Sequence, residues 1–188
     1  MHQKNEDGIR ARLEEKVIDR STAYHGLVAD YDIWHVTLPD GRVAQRDIIR
    51  HPGAAAVVPV DADGNVTMVY QYRHPLGRVT LEIPAGKKEP GEDPLTCAER
   101  ELREEVGIIA KDFRLLTQLA SSPGIFNERI WIYLATGLSH CAVDPDDDEF
   151  LNIRTFPLEE LIGRIVSNEI QDSKTIAGLM LAREALRR

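Results

Sequence analysis

The stretch from Gly86 to Ile108 constrains the fold most, because it sets a charge-crowded helix between short apolar runs. Asp93-Pro94 opens that helix. Asp can cap free N–H groups, and Pro suits a first helical position that needs no N–H partner. Leu95, Ala98, Leu102 and Val106 recur at steps of three and four and make a narrow apolar stripe. Gly107 stands where a helix stop is expected. Glu101, Glu104 and Glu105 share one helical face, read here as polar. Like charges at that spacing cost a helix about 0.2–0.5 kcal/mol per pair, and Arg100, four before Glu104, offsets part of this, as does Arg103. Taken alone, such a face is solvated; the alternative is a site for a hard divalent cation.

The surrounding chain alternates strands and helices. Leu27 to Leu38 is rich in Val, Ile, Tyr and Trp and reads as a strand; Pro39-Asp40-Gly41 is a turn, and Arg42 to Arg50 returns. Ala54 to Val60 reads as a buried strand, Asp61 to Asn65 as a hairpin turn, Val66 to Tyr72 and Val79 to Ile83 as further strands. Pro84-Ala85-Gly86 reads as a loop. Beyond the helix, strands are predicted at Phe113 to Leu119 and Arg129 to Thr136, an acidic loop at Asp144 to Glu149, and amphipathic helices at Leu158 to Ser167 and Lys174 to Leu186, the second capped by Asp172 or Ser173. The first 20 residues read as an arm with a short helix in Ile9 to Ile18. This order predicts an α/β (α+β) fold with a mixed sheet. The small β unit before Pro52 is too short to hold a core alone. The expected division is residues 1–51, an arm and antiparallel β unit that serves dimerisation, and residues 52–188, the main domain.

Composition removes several function classes. The chain of 188 residues has a net charge of −8, from 31 acids against 23 bases, so a basic nucleic-acid-binding field is not expected. No apolar run approaches the roughly 20 residues of a membrane helix, and the N-terminus lacks an apolar secretory core. Cys97 and Cys141 form neither a disulfide framework nor a zinc pattern, which suits reduced thiols in the cytoplasm.

Gly86, Glu92, Arg100, Glu101, Leu102, Glu104, Glu105, Gly107 and Ile108 stand in fixed relation. The stretch resembles the Nudix hydrolase box, Gly-x5-Glu-x7-Arg-Glu-U-x-Glu-Glu-x-Gly-U with U aliphatic, at every specified position. The resemblance implies a Nudix-type α/β/α sandwich and hydrolysis of a diphosphate linked to another moiety. It implies Mg²⁺, with Mn²⁺ as an alternative, held by the Ala85 carbonyl, Glu101, Glu104 and Glu105. Such oxygen donors suit Mg²⁺, which shares its shell between carboxylates and substrate phosphates. Gly86 is expected to permit a sharp loop near the metals, while Glu92 and Arg100 orient the loop and helix.

Flanking residues resemble the ADP-ribose pyrophosphatase branch. They are Gln71-Tyr72-Arg73-His74-Pro75, Leu81-Glu82-Ile83-Pro84-Ala85-Gly86, and Pro123, which lies 16 residues past Gly107. The branch implies that Arg73 binds the diphosphate or terminal ribose, that Lys87 approaches the substrate through its backbone, and that Ser122, Gly124 and Glu128 contact substrate. It places the general base in the acidic loop, where Glu149 is the choice over Asp148; Glu149 would also complete the metal shell, and Glu104 is a further catalytic candidate. Tyr24, Tyr31 and Trp34 are aromatic candidates for the adenine, with no assignment among them; Arg46 and Arg50 are possible anion contacts. The expected partner is a nucleoside diphosphate sugar, and the branch implies a homodimer. ADP-ribose, split to AMP and ribose 5-phosphate, leads. A broader pyrophosphatase for ADP-glucose, UDP-glucose or GDP-mannose is the alternative. A non-catalytic nucleotide-sugar sensor is a third reading, and a hydrolase of oxidised nucleoside triphosphates a fourth.

Overall fold

The computed structural model describes residues 8–9, 12–143 and 150–187. They fall into two compact units, Met1–His51 with Ser122–Glu128, and Pro52–Ser121 with Arg129–Arg188.

The first unit is built on a three-stranded antiparallel sheet of β1 (Lys16–His25), β2 (Asp30–Thr37) and β3 (Val43–Arg50), in that order. Gly41, at φ 86°, turns the chain between β2 and β3, as the Pro-Asp-Gly signal predicts. The short helix expected within Ile9 to Ile18 is present at Ile9, Arg12 and Leu13, but it stops short of the expected end, because β1 begins at Lys16. This strand is exposed along its whole length, so it carries no burial pattern to be read. Cross-strand partners hold it instead: Thr22 donates to Asp32 at 2.8 Å, His35 Nδ1 meets Asp19 at 2.8 Å, and Arg20 lies 4.1 Å above the Trp34 ring. The segment Ser122–Glu128 is tied to the end of β3. Ile49 N–H donates to the Ile125 carbonyl at 2.8 Å, Asn127 N–H to that of Ile49 at 3.1 Å, and His51 N–H to Asn127 Oδ1 at 2.8 Å.

The second unit holds β4 (Ala54–Pro59), β5 (Asn65–Arg73), β6 (Arg78–Glu82), β7 (Ala85–Lys87), α1 (Pro94–Val106), β8 (Ile108–Ala120), β9 (Arg129–His140), β10 (Asn152–Pro157), α2 (Leu158–Val166) and α3 (Ser173–Leu186). One sheet has the order β7-β4-β9-β8 and is mixed, with β4 parallel to β9. The other, β10-β5-β6, is antiparallel. Alternate residues of β4 face opposite sides. Ala55 and Val57 pack with Cys97, Ala98, Leu102 and Val106 of α1, whereas Ala56 and Val58 pack with Leu161 of α2 and Leu179 and Ala182 of α3. The four-stranded sheet is therefore covered on both faces, which makes an α/β/α sandwich and explains why β4 is apolar throughout. Three differences from the sequence reading stand out. Ala85–Lys87 is a strand paired with β4, not a free loop; β8 and β9 run longer than predicted; and β10 was not foreseen. Among the described residues, no helix is long and apolar enough to cross a membrane.

Candidate active site

Helix α1 begins and ends as its sequence dictates. Asp93 accepts from Leu95 N–H at 3.0 Å and Thr96 N–H at 3.2 Å, with Pro94 next. Gly107, at φ 63°, closes it by donating to the Arg103 carbonyl; a side chain there would lie 2.7 Å from the Cys141 carbonyl oxygen.

Between these ends the expected polar face is overturned. Glu101 and Glu105 are only 7 % and 3 % exposed, on the side of the helix that also buries Cys97, Ala98, Leu102 and Val106. A buried carboxylate needs compensating donors, and β7 supplies one: the Ala85 N–H donates to Glu105 Oε2 at 3.0 Å. One residue on, the Glu101 carboxylate lies directly against Gly86. A Cβ at Gly86 would stand 2.0 Å from Glu101 Cδ. Gly86 is thus required for the space it leaves. The expected sharp loop is not its role, since Gly86 belongs to a strand and its φ is not positive.

Arg100 links the parts of the box. Its Nε and Nη2 donate to Glu92 at 3.0 and 3.1 Å, its Nη1 to Glu101 Oε1 at 2.7 Å and Glu104 Oε2 at 3.0 Å, and its Nη2 also to the Lys87 carbonyl at 3.1 Å. The Arg100 bonds are the main reason the Glu92 carboxyl titrates below the usual carboxylate range, and these partners raise the guanidinium further. Glu92 also accepts from Glu89 N–H at 2.9 Å, which pins the loop before the helix. Burial, with Glu101 and Glu92 nearby, pushes the Cys97 thiol up to about 12, so this cysteine stays a neutral, inert thiol.

Arg73, the expected anion contact at the end of β5, meets a buried partner. Its Nε and Nη2 donate to Glu82 at 2.9 and 2.7 Å, and the Nη1 end of the fork points away from that bond pair. Glu82 also accepts from Thr80 Oγ1 at 2.6 Å and from Lys174 Nζ. Sequence reasoning gave no role to Glu82 or Lys174. The available signal was a lone acid between Leu81 and Ile83 in an apolar strand.

The remaining predicted residues divide between the units. Ala85, Lys87, Glu101, Glu104 and Glu105 come together in the second. Ser122, Gly124 and Glu128 belong to the first, where the Ser122 carbonyl accepts from Phe126 N–H at 2.9 Å and Glu128 faces His51 Nδ1 at 3.4 Å. Arg46 pairs with Glu15, and Arg50 with Asp30 and Asp32. Glu149 and Asp148 lie outside the described residues.

Among the described residues, no three His, Cys, Asp or Glu side chains stand in a ready metal-holding group. The donor set at the box is nevertheless all oxygen, and Arg100 Nη1 bridges Glu101 and Glu104 as a cation does. That chemistry fits a hard divalent ion.

A sandwich with a carboxylate-bearing helix over one face of its mixed sheet, and a glycine pressed against a carboxylate, defines a class of site. The NUDIX domain profile matches residues 50–178, and the chain belongs to the Nudix family. It is 42 % identical over 166 residues to the methanol dehydrogenase activator of Bacillus methanolicus, covering 87 % of this chain and 90 % of that protein. It is 41 % identical over 165 residues to the ADP-ribose pyrophosphatase of Bacillus subtilis (strain 168), covering 87 % and 89 %. Its fold matches a crystal structure of an ADP compounds hydrolase, with a TM-score of 0.81 at 23 % identity, over 93 % of this chain and 96 % of that one.

Proposed function

We propose that the chain hydrolyses the diphosphate of ADP-ribose to AMP and ribose 5-phosphate, with a divalent cation. The observation that carries this reading is the burial of Glu101 and Glu105 against the Ala85–Gly86 backbone. Carboxylates kept buried at a cost in desolvation suit a site better than a solvated face. A relative at 41 % identity bears the name ADP-ribose pyrophosphatase, which supports the substrate.

In this reading the Ala85 carbonyl, Glu101, Glu104, Glu105 and Glu149 hold the cation, Mg²⁺ first and Mn²⁺ as the alternative. A divalent ion bound there neutralises phosphate charge and stabilises the leaving oxygen. Arg73 offers its Nη1 end to a diphosphate oxygen. Lys87 approaches the substrate through its backbone. Glu149 accepts the proton of the attacking water, whose oxygen bonds to one phosphorus as the bridging P–O bond breaks; Glu104 is the second candidate for that proton. Arg100 holds Glu101 and Glu104 in place throughout.

The test is AMP release from ADP-ribose with Mg²⁺, beside an EDTA control and ADP-glucose, UDP-glucose and GDP-mannose. Metal-dependent release favouring ADP-ribose is expected. Equal turnover of all four would replace it with the broader pyrophosphatase. Absence of turnover would point to a sensing or activating role, the kind of role named by the relative at 42 % identity.

We assign self-association to the first unit, whose sheet exposes Val17, Ile18, Tyr24 and Val43. Light scattering should give twice the chain mass of 21.1 kDa. The free Cys97 and Cys141 fit the reducing cytoplasm as the compartment.

A further inference from the structure

The segment Glu82–Ile83–Pro84–Ala85–Gly86 is gripped from two sides. Helix α1 holds its far end, through Glu105 to the Ala85 N–H and Glu101 against Gly86. The first turn of α3 holds its near end. Asp172 caps that turn, accepting from Thr175 N–H at 2.9 Å and Thr175 Oγ1 at 2.6 Å; the same hydroxyl oxygen accepts from Ile83 N–H at 3.0 Å. Lys174, 8 % exposed, donates to Asp172 at 3.0 Å and to Glu82, which is 3 % exposed. Close packing completes the grip: a Cβ on Gly178 of α3 would stand 3.0 Å from Ile83 Cδ1.

Glu82 is thus shared between two cations. Arg73 takes it edge-on through Nε and Nη2, and Lys174 takes it as a point charge. A buried ammonium is costly unless paired, so Lys174 belongs to the geometry of this carboxylate. Where Glu82 sits decides where the plane of Arg73 sits. Arg73 in turn is close enough to Glu105 to feel its charge.

We propose that Lys174 is a positioning residue for diphosphate binding: by sharing Glu82 it fixes the Arg73 guanidinium so that the Nη1 end meets a phosphate oxygen beside the box carboxylates. Asp172 and Thr175 hold Lys174 and the strand in register. This rests on the substrate reading above and adds a residue 92 positions from Glu82 that does not itself touch substrate.

The experiment compares wild type, Lys174→Met, Lys174→Arg, Arg73→Gln and the Lys174→Met/Arg73→Gln double variant. KM and kcat for ADP-ribose are measured with Mg²⁺, and Kd for ADP-ribose by calorimetry in EDTA. Lys174→Met should weaken KM and Kd about tenfold or more, as misplacement of a binding group does, with kcat held within about twofold. Lys174→Arg should recover most of the loss. The double variant should bind no more weakly than Arg73→Gln alone, because both changes remove the same contact. Unchanged KM and Kd in Lys174→Met would overturn the proposal, as would losses that multiply in the double variant or a loss confined to kcat. Where Met costs the fold, Lys174→Gln, which still donates to Glu82, undergoes the same comparison. Wild type that binds ADP-ribose without hydrolysing it would sink the substrate reading, while the Kd series would still decide this one.

Discussion

Gly86 has no side chain because Glu101 occupies the space one would need. In Gly86→Ala the new Cβ falls 2.0 Å from Glu101 Cδ, so either the carboxylate or β7 must move. The cost is that of overpacking, about 1–3 kcal/mol, and the displaced carboxylate should lower turnover about a hundredfold. Thermal unfolding and kcat on one preparation check both; near-normal turnover would mean that Glu101 is not in the working site. Glu105→Gln makes the complementary test. The amide oxygen can still accept from Ala85 N–H, so the fold should stand, while loss of the charge should cut turnover by more than the roughly 10–100-fold typical of residues that merely support a metal ligand. Activity retained at limiting Mg²⁺ would remove Glu105 from the metal assignment. The spacing of Gly86, Arg100, Glu101 and Glu105 was legible because a motif is a pattern of residue types. Burial of the two glutamates was not. Their stabilising neighbours, Gly86 and the Ala85 N–H, lie 15 and 20 residues away, and helical periodicity carries no trace of them.

Among the elements, legibility followed the strength of local signals. Helix α1 was placed by Asp93-Pro94 and Gly107, and β4 by an unbroken apolar run. By contrast, β1 is exposed on every residue, and β10 has only two half-buried side chains, Ile153 and Phe156, three positions apart, so neither shows a core-facing stripe. Nor could sequence show that β5, β6 and α3 meet at one carboxylate. Burial opposes ionisation of Glu82, yet the Arg73 fork and Lys174 hold its carboxyl down to about 2, against an ordinary value of 4.5. The folded-state pKa therefore lies below the unfolded one. The resulting stabilisation is complete above the unfolded value and is lost as pH falls through the folded one, a window from about 4.5 to about 2. Its size is about 3 kcal/mol. Glu92, Asp32, Asp61 and Asp93 are shifted in the same direction, so the wild type has several contributors to its acid limb. The telling quantity is the difference: between pH 6 and pH 3, Glu82→Gln should lose less stability than wild type in urea unfolding. Equal losses would mean that Glu82 is not held ionised by its two cations.

For the whole molecule, an anionic protein with a net charge of −8 must bind an anionic diphosphate. Pairing β4 with β9 and closing α1 over the sheet is what gathers carboxylates near Arg73, and neither pairing leaves a local mark, because the partners stand about 75 residues apart, Ala54 beside Ile130. Gathering like charges in the folded state has a consequence that can be measured without substrate. An ion that binds only the folded chain raises its stability by mass action, about 1.4 kcal/mol at tenfold excess over Kd. For a chain of this size that is a rise in Tm of about 3–6 °C. Mg²⁺ should produce it and EDTA should reverse it, whereas NaCl at matched ionic strength should not, because general screening is indifferent to the site. Glu101→Gln and Glu105→Gln should each lose the Mg²⁺ response while retaining any response to salt. An equal rise with NaCl, or a Mg²⁺ response that survives both substitutions, would place the ion elsewhere on the acidic surface and separate cation binding from the box helix.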